Sequence, residues 1–137
     1  MPSALRTVLV VDDEEAVRRV CCAFVERAGF SSIEASNGEE ALSLFKKHVD
    51  EISCVMLDLT MPHMDGISAF RKMKLIRPDI PVILCSGYDE QEATQHFAKE
   101  GLSGFLQKPF GLEDMKHKIG QVLKAPAKAD REGESFA

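Results

Sequence analysis

Five polar residues carry most of the chemistry open to this chain. Asp12 and Asp13 follow the apolar run Val8-Leu9-Val10-Val11, Asp58 follows Cys54-Val55-Met56-Leu57, Ser86 follows Val82-Ile83-Leu84-Cys85, and Lys108 follows Phe105-Leu106-Gln107. Three carboxylates brought close together repel one another and rise in pKa unless a cation joins them. A partly hydrated cluster of oxygens suits Mg²⁺, or Mn²⁺ in its place, with a few carboxylates bound and several waters kept. Three aspartates, one lysine and one divalent cation balance to zero charge. A neutral, prearranged site of this kind can accept the negative oxygens of a phosphoryl group in transfer. One aspartate then acts as nucleophile and becomes an aspartyl phosphate. Asp58, standing singly at a loop entrance, is the natural choice. Taken one at a time, each aspartate also reads as a turn or helix-capping residue after a strand. Their joint occurrence with Ser86 and Lys108 is what favours chemistry. Glu14 and Glu15 read instead as complements to the positive end of a first helix.

For these residues to meet, the intervening elements must carry their strand ends to one rim. The chain alternates short apolar runs with amphipathic stretches, five times over. Val8-Leu9-Val10-Val11 is unbroken and β-branched, as in a strand buried on both faces. Val17, Val20, Cys21, Phe24, Val25 and Ala28 recur at helical spacing, which puts them on the inner face of a helix that Gly29 stops. Residues 31–35 read as a short strand whose Glu34 marks a less buried edge, and Ser36-Asn37-Gly38 is turn chemistry. Ala41, Leu42 and Phe45 line a second helix. After the strand at 54–57 comes a loop over 58–66, holding Pro62 and Asp65-Gly66. Ile67, Phe70 and Met73 line a third helix, which ends before Pro78. The strand at 82–85 precedes a fourth helix over about residues 89–100, closed by Gly101. A short fifth strand at 105–107 leads to a last helix with Leu112, Met115, Ile119, Val122 and Leu123 inward. Strands alternating with single helices imply an α/β, doubly wound parallel sheet with right-handed crossovers. In such sheets ligands bind beyond the carboxyl ends of the strands.

Composition bounds the remaining choices. The 137 residues, 45% hydrophobic and 28% charged, suit one soluble globular domain. A net charge of −5 counts against a general nucleic-acid or anionic-membrane binder. No apolar run approaches the ~20 residues needed to cross a bilayer, and the start of the chain lacks the apolar core of a secretory signal. The four cysteines, Cys21, Cys22, Cys54 and Cys85, have neither redox nor zinc spacing and read as buried free thiols. From Ala125 the composition shifts to Ala, Lys, Asp, Glu, Gly and Pro. We therefore expect a domain over residues 5–124 and a disordered tail or linker over 125–137.

Taken together, Val10-Val11-Asp12-Asp13-Glu14, Leu57-Asp58-Leu59-Thr60-Met61-Pro62 with Asp65-Gly66, Ser86-Gly87 and Lys108-Pro109-Phe110 strongly resemble the receiver domains of two-component response regulators. Residues 83–88 and 104–110 look most like receivers attached to hybrid sensor histidine kinases. The resemblance covers about residues 5–124. It implies a flavodoxin-like five-stranded sheet in the order 2-1-3-4-5 with helices on both faces. It also implies a phosphorelay function, in which a phosphoryl group passes from a kinase phosphohistidine to Asp58 with Mg²⁺. Asp13 would then bind the metal directly, Asp12 largely through water, and the Thr60 carbonyl would be a further ligand alongside Asp58. Ser86 would hydrogen-bond the phosphoryl group and Lys108 would pair with its oxygens. Ser86 and Phe105 occupy the switch positions. Many relatives have Tyr where this chain has Phe105, which could equally be a static core residue. The places of Thr60 and Tyr88 flank the path of hydrolytic water in this family, so the two would set the phosphorylated lifetime, although Tyr88 could also be an exposed contact residue.

On this resemblance the chain is a signalling receiver that catalyses its own phosphorylation and dephosphorylation, and not a turnover enzyme. Its partners would be a sensor histidine kinase or a histidine phosphotransfer domain, with phosphotransfer specificity on helix one and the loop after Lys108-Pro109. The output surface, and a homodimer contact, would combine the 89–100 helix, the fifth strand and the last helix. No direct nucleic-acid or membrane contact is expected. The expected location is the cytoplasm, or the cytoplasmic part of a membrane-bound hybrid kinase. Three other functions compete. A haloacid-dehalogenase-type phosphatase would want an acid two residues after the nucleophile, where Thr60 stands, and a cap for which the chain is too short. An FMN module would want a neutral phosphate loop where Asp12-Asp13-Glu14-Glu15 would repel the phosphate. A constitutive interaction module would have no use for the intact acidic group, Ser86 and Lys108.

Overall fold

The computed structural model describes residues 6–58, 66–86, 103–108 and 110–128. The expected strands form β1 (Thr7–Val11), β2 (Ser31–Ala35), β3 (Ile52–Asp58), β4 (Val82–Ser86) and β5 (Gly104–Gln107). The amphipathic stretches form α1 (Glu15–Arg27), α2 (Gly38–Lys47), α3 (Gly66–Ile76) and α4 (Leu112–Lys128). All strand pairs are parallel, in one sheet ordered β2-β1-β3-β4-β5. The expected fold class and strand order are therefore the observed ones, and Glu34 does lie on an edge strand.

Side chains alternate across a strand with period two, so each central strand feeds two cores. Leu9, Val11, Val55, Leu57, Val82, Leu84 and Phe105 pack with Phe45, Phe70 and Met73 of α2 and α3. Val8, Val10, Cys54, Met56, Ile83, Cys85 and Leu106 pack with Cys21, Val25, Met115 and Ile119 of α1 and α4. All four cysteines are free, buried and on this second face. Burial pushes the Cys54 thiol up to about 12, and burial with the Asp12 charge pushes Cys21 up to about 11. Both thiols stay protonated and inert, as small core hydrophobes should. Gly29, at φ +98°, ends α1 in a backbone region that favours glycine.

The structure departs from expectation in three places. Val20 is 51% exposed rather than inward. Val20 and Cys22 flank the inward Cys21 on opposite sides of α1, and only the Cys22 flank is covered by β2. β3 begins at Ile52, two residues earlier than its apolar run, and the buried Ile52 is cut off from that run in the sequence by Ser53. The last helix runs to Lys128, past the expected boundary at residue 125, with Pro126 inside its final turn. The expected helix over 89–100, most of the loop after Asp58 and the tail from residue 129 lie outside the described residues. Thr60, Tyr88, Pro109 and the Ser86 side chain lie outside them too. Among the described residues no helix is long and apolar enough to cross a membrane.

Candidate metal and phosphoryl site

Strand register assembles the site. Val11 pairs with Leu57, so the next residue on each strand, Asp12 and Asp58, reaches the carboxyl edge side by side. Asp58 pairs with Cys85, and Ser86 pairs with Gln107. The Ser86 backbone and Lys108, the first residue after β5, therefore arrive at the same edge. Asp12 continues the row Val8-Val10 and Asp58 continues the row Cys54-Met56, which turns both toward the side of α1 and α4.

Asp12 and Asp58 are 3% and 2% exposed, while Asp13 faces solvent. One carboxylate oxygen from each of the three lies within 4.8 Å of the others. The Lys108 ammonium donates to Asp12 Oδ2 at 2.9 Å and stands 3.5 Å from Asp58 Oδ1. Burial pulls the pKa of Lys108 down. The Asp12 hydrogen bond and the charges of Asp58 and Asp12 outweigh that pull and leave it raised. Lys108 is therefore a permanent cation at neutral pH. One ammonium cannot offset three carboxylates, two of them buried, so the cluster keeps an excess of two negative charges. An oxygen-only donor set with that excess fits a hard divalent cation such as Mg²⁺.

Asp12, Asp13, Asp58 and Lys108 are brought together. Ser86 is placed on the rim by its backbone. Thr60 and Tyr88 lie outside the described residues. Phe105 is buried on the opposite face of the sheet, paired with Leu84. Glu15 lies in the first turn of α1 and pairs with Arg19 at 2.8 Å. Glu14 is the N-cap residue, with no side-chain capping bond, and its N–H donates to Asp12 Oδ1 at 3.0 Å.

Two features escaped the sequence reading. Arg18 Nη1 donates to the Asp12 carbonyl oxygen at 2.9 Å. Its signal was a long cation on the turn of helix just after the acidic pair. The second is an apolar hollow of about 350 Å³ beside Lys108, lined by Val17, Val20, Cys21, Phe24 and Phe110. The exposed Val20 was masked in the sequence by its helical spacing.

The sequence model of the response regulator receiver domain matches residues 8–120. Among curated relatives, sensor kinase CckA of Brucella abortus is 34% identical over 122 residues, covering 89% of this chain and 13% of that protein. The chain thus spans a small part of that relative. A receiver domain from Clostridium thermocellum superposes with a TM-score of 0.85 at 27% identity, covering 91% of this chain and 99% of that one. A CheX–CheY–BeF₃–Mg²⁺ complex from Borrelia burgdorferi matches at a TM-score of 0.82 and 27% identity, covering 88% and 96%. The function of the matched family is that of phosphoacceptor in two-component signalling, working with histidine kinases or phosphotransfer proteins. The chain gathers its acidic trio at the carboxyl edge of the sheet, nine-tenths of its length superposes on a receiver domain, and the family model covers residues 8–120: this chain belongs to the response regulator receiver domain family.

Proposed function

We propose that this receiver takes a phosphoryl group onto Asp58 from the phosphohistidine of a sensor histidine kinase or a histidine phosphotransfer domain, within the unit expected over residues 5–124. The observation that carries the reading is the Lys108 ammonium set between two buried carboxylates, 2.9 Å from Asp12 and 3.5 Å from Asp58. An Asp58 oxygen attacks phosphorus. The P–O bond forms as the P–N bond breaks, and the imidazole nitrogen leaves with the bonding pair. Lys108 and the Ser86 hydroxyl take the phosphoryl oxygens. Attack of water on phosphorus later returns the Asp58 carboxylate and inorganic phosphate, with Thr60 and Tyr88 bounding the approach of that water. The chain is thus the catalyst of its own modification and not a turnover enzyme.

Asp12, Asp13, Asp58 and the Thr60 carbonyl would hold Mg²⁺ or Mn²⁺, which would supply positive charge against the phosphoryl oxygens. The Mg²⁺ named for the Borrelia burgdorferi complex supports this. The hollow on α1 beside Phe110 and Lys108 supports docking of the phosphodonor there. Readout passes through Ser86 and Phe105 to a surface made of the expected 89–100 helix, β5 and α4, where a second copy would also dock. The setting is the cytoplasm, or the cytoplasmic part of a hybrid kinase, as the similarity to a sensor kinase suggests. The net charge of −5 supports the expectation of no direct nucleic-acid or membrane contact.

Intact-mass measurement with acetyl phosphate and Mg²⁺ tests the assignment. Wild type is expected to gain one phosphoryl group and Asp58→Asn none, with chelation abolishing the gain; equal incorporation in both proteins rules Asp58 out. Phe105→Ala tests the readout, since burying a Phe is worth about 1.5–3 kcal/mol, enough to bias a two-state surface. The variant should keep Asp58 phosphorylation and blunt the phosphorylation-dependent change in partner affinity or dimerisation. A change of wild-type size would leave Phe105 as core alone.

A further inference from the structure

The Asp12 carbonyl that Arg18 holds belongs to the peptide joining Asp12 to Asp13. The direction of that carbonyl fixes ψ of Asp12, and ψ of Asp12 sets where the Asp13 Cα, and with it the Asp13 carboxylate, is carried. Asp12 is tethered elsewhere as well: its N–H donates to the Ala35 carbonyl at 3.1 Å, and its carboxylate meets the Glu14 N–H and Lys108. Asp13 is exposed, and among the described residues no hydrogen bond or ion pair reaches its side chain. Its place is set by the backbone that carries it. Arg18 is braced from the far side, where its Nε donates to Glu34 Oε1 on β2 at 2.9 Å. Its side chain is 14% exposed, against 46% for Glu34. A guanidinium presents both donors in one rigid plane. One side chain therefore ties α1, the edge strand and the Asp12–Asp13 peptide together.

We propose that Arg18, braced by Glu34, is a positioning residue of the metal site: it fixes the Asp12–Asp13 peptide so that the Asp13 carboxylate faces Asp12 and Asp58, and thereby sets affinity for a divalent cation. The inference rests on the metal reading of the three aspartates. Position and charge pull in opposite directions here. Removing a cation from beside three carboxylates should, by Coulomb's law alone, tighten the binding of Mg²⁺. Removing an anchor should loosen it, and partners of metal ligands are commonly worth about 10–100-fold in metal affinity.

The test is direct binding, Mn²⁺ by electron paramagnetic resonance and Mg²⁺ by calorimetry, on wild type, Arg18→Ala, Arg18→Lys, Glu34→Gln, Asp13→Asn and Asp58→Asn, with melting curves recorded in EDTA. Arg18→Ala should weaken binding about tenfold. Arg18→Lys keeps the charge but cannot make both contacts in one plane, so it should weaken binding by less. Glu34→Gln should weaken it least. Unchanged or tighter binding in Arg18→Ala overturns the proposal. If the melting curves show that Arg18→Ala does not fold, wild-type affinity in both Arg18→Lys and Glu34→Gln overturns it. If wild type binds no divalent cation, or if Asp13→Asn and Asp58→Asn bind as wild type does, the metal reading itself has failed.

Discussion

Helices α1 and α2 both start at the carboxyl edge of a strand, yet their first turns are built differently. At α2 the local groups satisfy one another. Asn37 Oδ1 accepts the Glu40 N–H at 2.8 Å, while Glu40 Oε1 accepts the Ser36 N–H at 2.7 Å and the Ser36 hydroxyl at 2.8 Å. This reciprocal cap holds the helix start without help from the rest of the fold, and Phe45 further along is fully buried. At α1 the N-cap side chain of Glu14 makes no capping bond. Asp12 accepts the Glu14 N–H instead and turns its other oxygen to Lys108. Further along, Val20 stands open beside the hollow. The group that would have served α1 alone is shared with the site, and the outer flank of α1 stays uncovered. The start of α2 is closed by residues of its own turn, whereas the start of α1 is closed by Asp12, a carboxylate that also pairs with Lys108.

The strongest challenge to this contrast is at the helix flanks. Phe45→Ala, which empties a fully buried position, should lower stability by about 3–5 kcal/mol in urea denaturation. Val20→Ala should stay within about 0.5 kcal/mol of wild type. Similar losses in both would mean that the outer flank of α1 is packed after all. A smaller effect is expected at the helix starts. Asn37→Ala should cost about 1 kcal/mol by removing the α2 cap, and Glu14→Ala less than about 0.5 kcal/mol. A Glu14→Ala loss as large as that of Asn37→Ala would show that α1 is capped by its own residue and would end the distinction.

Features set by residues close together in the chain were open to reading from the sequence. Unbroken apolar runs marked the three central strands β1, β3 and β4, because burial on both faces demands such runs, while the edge strands β2 and β5 showed only short mixed ones. Helical spacing marked the inward faces carrying Cys21, Val25, Phe45, Phe70 and Met115. The polar residues at strand ends marked the rim, because a parallel sheet gathers all its carboxyl ends on one side. Tertiary structure decided what depends on partners remote in sequence. Residue spacing alone does not say that Lys108 reaches Asp12 across 96 positions while also standing near Asp58. Nor does it say that Arg18 bridges the Asp12 carbonyl and Glu34. Val20 and Cys22 are both set at the flanks of one helical stripe, and only the neighbouring strand decides which is covered. Periodicity specifies the direction of a side chain from its own backbone, whereas burial and charge pairing depend on what the rest of the fold places in that direction.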